Sequence, residues 1–154
     1  MRLQIGERIV LMLWVGSLWS IGGMVAPFLF ATLDERALAG TLAGGIFSIE
    51  AYVGLVCGVM LMISLLIRGG RGAWRRWQCL AILGMLALTA IGQFGLQPWL
   101  AELRAGGLVE SAAFARLHGL AALLYLATAL LGLAVVAAGL PGFAKAEGRA
   151  VKAV

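Results

Sequence analysis

Glu50, Gln93 and His118 are ionisable or hydrogen-bonding residues set inside three different apolar stretches of a 154-residue chain. A carboxylate and an imidazole within hydrogen-bond reach can exchange a proton near neutral pH, because an unperturbed histidine titrates at about 6.5. A carboxamide beside them both donates and accepts, and Arg116 offers a cation to Glu50 or to an anionic ligand. Gln97 lies one helical turn beyond Gln93. Met24 sits beside Gly22, Gly23 and Pro27, where the glycines permit close approach and the proline frees one carbonyl as a ligand atom. The chemistry this set could do is binding of a polar or ionic ligand, or movement of a proton or ion. Pairing of Glu50 with His118 or Arg116 for stability alone would look the same in sequence, and each residue could simply mark its helix entering an interface.

These residues would meet only if long helices held them at one level. The chain is 62% hydrophobic and 12% charged, with a mean hydropathy of +1.01, whereas soluble domains are about half apolar and a quarter charged. Residues 9–33, 46–67, 77–99 and 112–140 form four apolar stretches, and each reaches the roughly 20 residues that cross a ~30 Å hydrocarbon core. The expected fold is all-α: an antiparallel four-helix transmembrane bundle in one membrane domain over residues 1–154. The second helix is read as starting near residue 35, since Asp34 can cap it and ALAGTLAGGIFSIEAY keeps small and apolar residues at helical spacing. Counting along each helix at ~1.5 Å per residue puts His118 about 31 Å, Glu50 about 25 Å and Gln93 about 24 Å from one face, so the three converge on one layer.

The net charge of +5 is distributed as membrane topology requires, with no sign of a nucleic-acid surface. Arg2 and Arg8, then Arg68, Arg71, Arg75 and Arg76, then Lys145, Arg149 and Lys152 are nine of the twelve basic residues, leaving Arg36, Arg104 and Arg116 for the other side. The positive-inside rule then expects both termini and the central loop in the cytoplasm of a bacterial inner membrane, with the polar layer near the opposite surface. An uncleaved first helix is expected over a signal peptide, because the apolar run exceeds the h-region of a signal and lacks an A-x-A site. Trp14, Trp19, Trp74, Trp77 and Trp99 are read as interfacial anchors, and Cys57 and Cys79 as packing residues too far apart in depth to bond.

Small residues four apart, Gly40-xxx-Gly44 and Gly54-xxx-Gly58, are expected to let the second helix pack closely. Pro27-Phe-Leu and Pro98-Trp-Leu recur at matching places, either as a trace of a parallel hairpin repeat or because prolines are tolerated where helices end. No catalytic motif, P-loop or H-E-x-x-H is present, and one histidine cannot ligate paired haems. No metal site or cofactor is expected. The expected partners are membrane lipid and either a membrane-protein partner or a second copy of the chain.

LWVGSLWSIGGMVAPFLFATL, ERALAGTLAGGIFSIEAYVGL and FARLHGLAALLYLATALLGL together resemble the bacterial membrane proteins of unknown function grouped with transmembrane protein 205 of eukaryotes. The likeness spans roughly residues 9 to 135 and is most specific in APFLFATL and LAGGIF. It implies a four-span inner-membrane protein and brings no catalytic residue. Copper-resistance membrane proteins of the CopD type are a fainter likeness, and the single histidine argues against their chemistry. Two functions remain open: small-solute or ion transport and ligand handling through the polar layer, or an accessory subunit docking through its glycine-rich faces.

Overall fold

Four helices, α1 (Gln4–Thr32), α2 (Arg36–Gly69), α3 (Trp77–Ala105) and α4 (Ala112–Ala138), are each long and apolar enough to cross a membrane. The structure, a computed structural model, describes residues 2–69 and 76–140. Arg71, Trp74, Arg75, Lys145, Arg149 and Lys152 lie outside the described residues. The helices run antiparallel and pack as a closed ring, α1 against α2 and α4, and α3 against α2 and α4. At the start of α4 the Ser111 hydroxyl accepts from the Phe114 N–H at 3.1 Å, satisfying one of the free donors of the first turn.

Neither proline ends its helix. Pro27 and Pro98 lack an N–H, and each ring would press on the carbonyl four residues back. In both spans the helix answers with a π turn immediately upstream, over Ile21–Val25 and Ile91–Leu96. The Ala26 N–H bonds to the Ile21 carbonyl and the Gln97 N–H to the Gly92 carbonyl, the i→i−5 pattern of a widened turn. The α-helix then resumes as Ala26–Thr32 and Gln97–Ala105. The two hairpins therefore share one local backbone device, which two prolines alone could not reveal.

The apolar core occupies the half of the bundle away from the prolines. Leu11, Trp14, Val15 and Leu18 meet Leu61 and Leu65 of α2, Cys79, Ile82 and Met85 of α3, and Ala129 and Val135 of α4. None of the residues of either π turn, nor of Ala26–Thr32, is buried. Beyond the core, Ala26–Thr32 stays against α2, and Gln97–Ala105 stays against α4. The backbone contact of α2 with α3 is concentrated in Trp77–Ala90, and that of α1 with α4 in Arg2–Ser20. The hairpins are thus joined at one end and part at the other, starting at the π turns.

Trp14 is the largest departure from the interfacial role expected of the tryptophans: it is 1% exposed, at the heart of the α1–α2 contact. The reason is the absence of side chains at Gly54 and Gly58. A Cβ at Gly54 would lie 2.5 Å from Trp14 Nε1, and one at Gly58 2.6 Å from Leu86 Cδ2 and 2.9 Å from the indole. Trp19, Trp77 and Trp99 are exposed. Close contact of this kind matters because apolar side chains gain nothing by leaving lipid for protein except packing. Gly58→Leu is expected to destabilise the bundle by about 1–3 kcal/mol through overpacking, while Gly16→Ala, which points into open space inside α1, should be neutral or stabilise it by up to about 1 kcal/mol, because alanine is the better helix former. Denaturation of the two variants in detergent micelles measures the difference.

Candidate functional site

The candidate polar residues fall in two separate places. Where α2 and α3 part, a groove of about 700 Å³ opens, walled by Gly44, Ser48 and Tyr52 on α2 and by Gln93, Gln97 and Arg104 on α3. Gln97 spans it, donating from Nε2 to the Gly44 carbonyl at 3.3 Å and to Ser48 Oγ at 3.2 Å. Gln93 lines the same groove. Phe94 and Pro98 add an apolar wall, so the groove has two chemical faces.

Arg104 enters this site because α3 continues past Trp99, where the apolar run ends in sequence. Its guanidinium lies 5.6 Å from the centroid of the Phe114 ring and against Gly44, where a Cβ would come within 3.2 Å of Nη1. The side chain is half-buried. Among the described residues no carboxylate pairs with it; the ion pair there is Arg68 with Glu7. A half-buried guanidinium with five fixed donors and no anion beside it is suited to a carboxylate or phosphate.

Glu50 lies elsewhere, on the face of α2 that meets α1. It is 4% exposed, and its Oε1 stands 3.0 Å from Ser17 Oγ. Ser17 Oγ is also 2.8 Å from the Trp14 carbonyl. Tyr125 comes from α4, edge-on to Phe47 with 4.9 Å between centroids, and its hydroxyl donates to the Leu18 carbonyl at 2.6 Å. It also fills the space at Gly22, where a Cβ would meet its ring at 2.7 Å.

His118 joins neither place. It is exposed and stacks on Phe114, one turn back on its own helix, with 5.8 Å between centroids and 5° between planes. Arg116 and Met24 are exposed too. The single layer of Glu50, Gln93 and His118 expected from depth therefore separates by direction: Gln93 and Gln97 line the groove, Glu50 faces α1, and His118 faces outward. Of the packing glycines, Gly54 and Gly58 meet Trp14 and Gly44 meets Arg104, while Gly40 and Gly23 adjoin open space. Pro27 is exposed.

A third polar cluster, at the end away from the prolines, escaped the sequence reading. Glu7 is 4% exposed; Arg68 Nη2 donates to its Oε2 at 2.6 Å, and Ser64 donates a short hydrogen bond to its Oε1. The signal was available, since Glu7 and Arg68 lie near the same ends of consecutive antiparallel helices and can be matched by the same depth counting. Among the described residues there is no cluster of three metal-ligating side chains.

Four apolar, bilayer-length helices in an all-α bundle define a multi-pass integral membrane protein. The chain belongs to the family described as Domain of unknown function (DUF4149), whose pattern matches residues 9–109. That match takes in Ser17, Glu50, the groove and Arg104, and stops before α4. Comparison with curated proteins and with solved structures finds no match.

Removing one partner of a buried ion pair leaves the other charge uncompensated. Arg68→Ala is therefore expected to destabilise the bundle by roughly 3 kcal/mol, the low end of the usual range because the arginine side chain is 22% exposed. Glu7→Gln combined with Arg68→Gln should lose less than Arg68→Ala alone. A denaturation series over the single and double variants checks both.

Proposed function

We propose that the protein handles an anionic solute or amphiphile, for binding or transport, in the groove between α2 and α3. The carrying observation is Arg104, a half-buried guanidinium without a carboxylate partner among the described residues, in a groove otherwise walled by carboxamides, hydroxyls and apolar and aromatic surface. An anionic group would bond Arg104 while Gln93, Gln97 and Ser48 supply neutral donors and acceptors, and an attached apolar part would lie along Phe94 and Pro98.

The orientation of the bundle belongs to the same proposal. The basic residues on the non-proline side favour both termini in the cytoplasm of a bacterial inner membrane, which opens the groove to the outer leaflet. We read the chain as one membrane domain over residues 1–154 and as kin to transmembrane protein 205, on the residues quoted above. The accessory-subunit reading has less support, because Gly54 and Gly58, its best docking face, are occupied by Trp14 and Leu86 of the same chain.

Titration of the purified protein with short-chain phosphatidylglycerol, its zwitterionic phosphatidylcholine counterpart and inorganic phosphate, read by thermal shift, tests this reading. The anionic lipid or the phosphate should stabilise the wild type more than the zwitterion does, and which of the two succeeds tells amphiphile from solute. Arg104→Ala should weaken that binding at least about tenfold, as loss of a charge-assisted hydrogen bond worth roughly 1.5–3 kcal/mol requires. Equal affinity in wild type and variant would refute it.

A further inference from the structure

Two carboxylates are buried equally in the α1–α2 contact, each beside a serine of the opposite helix, and they differ in what else surrounds them. Glu7 receives the whole Ser64 hydroxyl and the Arg68 guanidinium. Glu50 has Ser17 alone. Among the described residues no lysine, arginine or histidine pairs with it. The Trp14 indole N–H, buried against Gly54 one turn along α2 from Glu50, has no hydrogen-bond partner among them.

Ser17 has a single hydroxyl proton and two oxygens within bonding distance, the Trp14 carbonyl at 2.8 Å and Glu50 Oε1 at 3.0 Å. A carbonyl oxygen cannot donate. The shorter contact is the back-bond to an earlier carbonyl that a serine commonly makes inside a helix. With that proton committed to Trp14, the contact with Glu50 is a good hydrogen bond only if Glu50 supplies a proton of its own. The chain Glu50 O–H to Ser17 Oγ, then Ser17 O–H to the Trp14 carbonyl, satisfies every distance.

We infer that Glu50 is a proton-binding site inside the bundle, holding its carboxyl in the neutral form at neutral pH and donating through Ser17 to the α1 backbone. The other titratable groups within its electrostatic reach are the Tyr125 phenol from α4 and the Cys57 thiol from α2. From α1 it meets Ser17, and no charged group of α3 is bonded to it among the described residues. The site is distinct from the groove, which Glu50 does not line. Proton release would require water or a cation to reach the α1–α2 contact.

Infrared spectroscopy of the full chain in nanodiscs at pH 7 reads the proton directly. Uniform ¹³C labelling of glutamate should shift a carboxylic-acid C=O band in the wild type, and Glu50→Gln should remove that band. Ser17→Ala should move it upward in frequency as the acceptor is lost. Glu50→Gln copies the shape of the neutral acid, so its melting temperature should stay near that of the wild type. A wild-type spectrum without a ¹³C-glutamate-sensitive carboxylic-acid band, or one whose band survives in Glu50→Gln, overturns the inference without reference to any variant's folding or to the groove.

Discussion

Two missing N–H groups shape one end of this bundle. Pro27 and Pro98 cannot continue the hydrogen-bond ladder of a span that must satisfy its backbone internally, because lipid offers no water to replace the lost bond. Both spans absorb the defect in a π turn and then resume as α-helix. Past those turns each hairpin keeps its own two helices together and separates from the other. The groove with Gln93, Gln97 and Arg104 is the space between them, which places the candidate site at and beyond the π turn of a spanning helix rather than in a loop.

The opposite end is held by the means that work in lipid: close packing and paired polar groups. Gly54 and Gly58 admit the Trp14 ring between α1 and α2, and Glu7 is tied to Ser64 and Arg68. This closely packed half is the point from which the other half diverges. Glu50 sits at the border between the two, still in tight contact with α1 and a residue or two from the wall of the groove at Ser48 and Tyr52. A change in protonation there would act on the helix that both sites share.

The four spans and the all-α class were legible because twenty-residue apolar stretches have few other readings. An expected depth was legible as well, since helical rise converts residue number into height. Direction was not: each residue turns the helix by about 100°, so small errors in phase or one π turn change which neighbour a side chain meets. Glu50 and His118, counted to one level from helical rise, face different ways for that reason. Trp14 read as an interfacial anchor because the residues that make room for it, Gly54 and Gly58, lie on another helix. Arg104 counted only as one of the three basic residues on the far side, because the apolar run ends near Trp99 while the helix continues to Ala105 on a polar last turn.

The account stands on the π turn at Pro98 being what holds α3 away from α2. Spin labels at Thr41→Cys and Ala101→Cys, on opposite walls of the groove and with Cys57 and Cys79 replaced by alanine, measure that separation by pulsed dipolar spectroscopy in nanodiscs. Pro98→Ala restores the N–H, so the regular helix should return and the label distance should shorten as α3 closes on α2. A distance distribution unchanged by Pro98→Ala would contradict the account, since the helices would then part for some reason other than the proline.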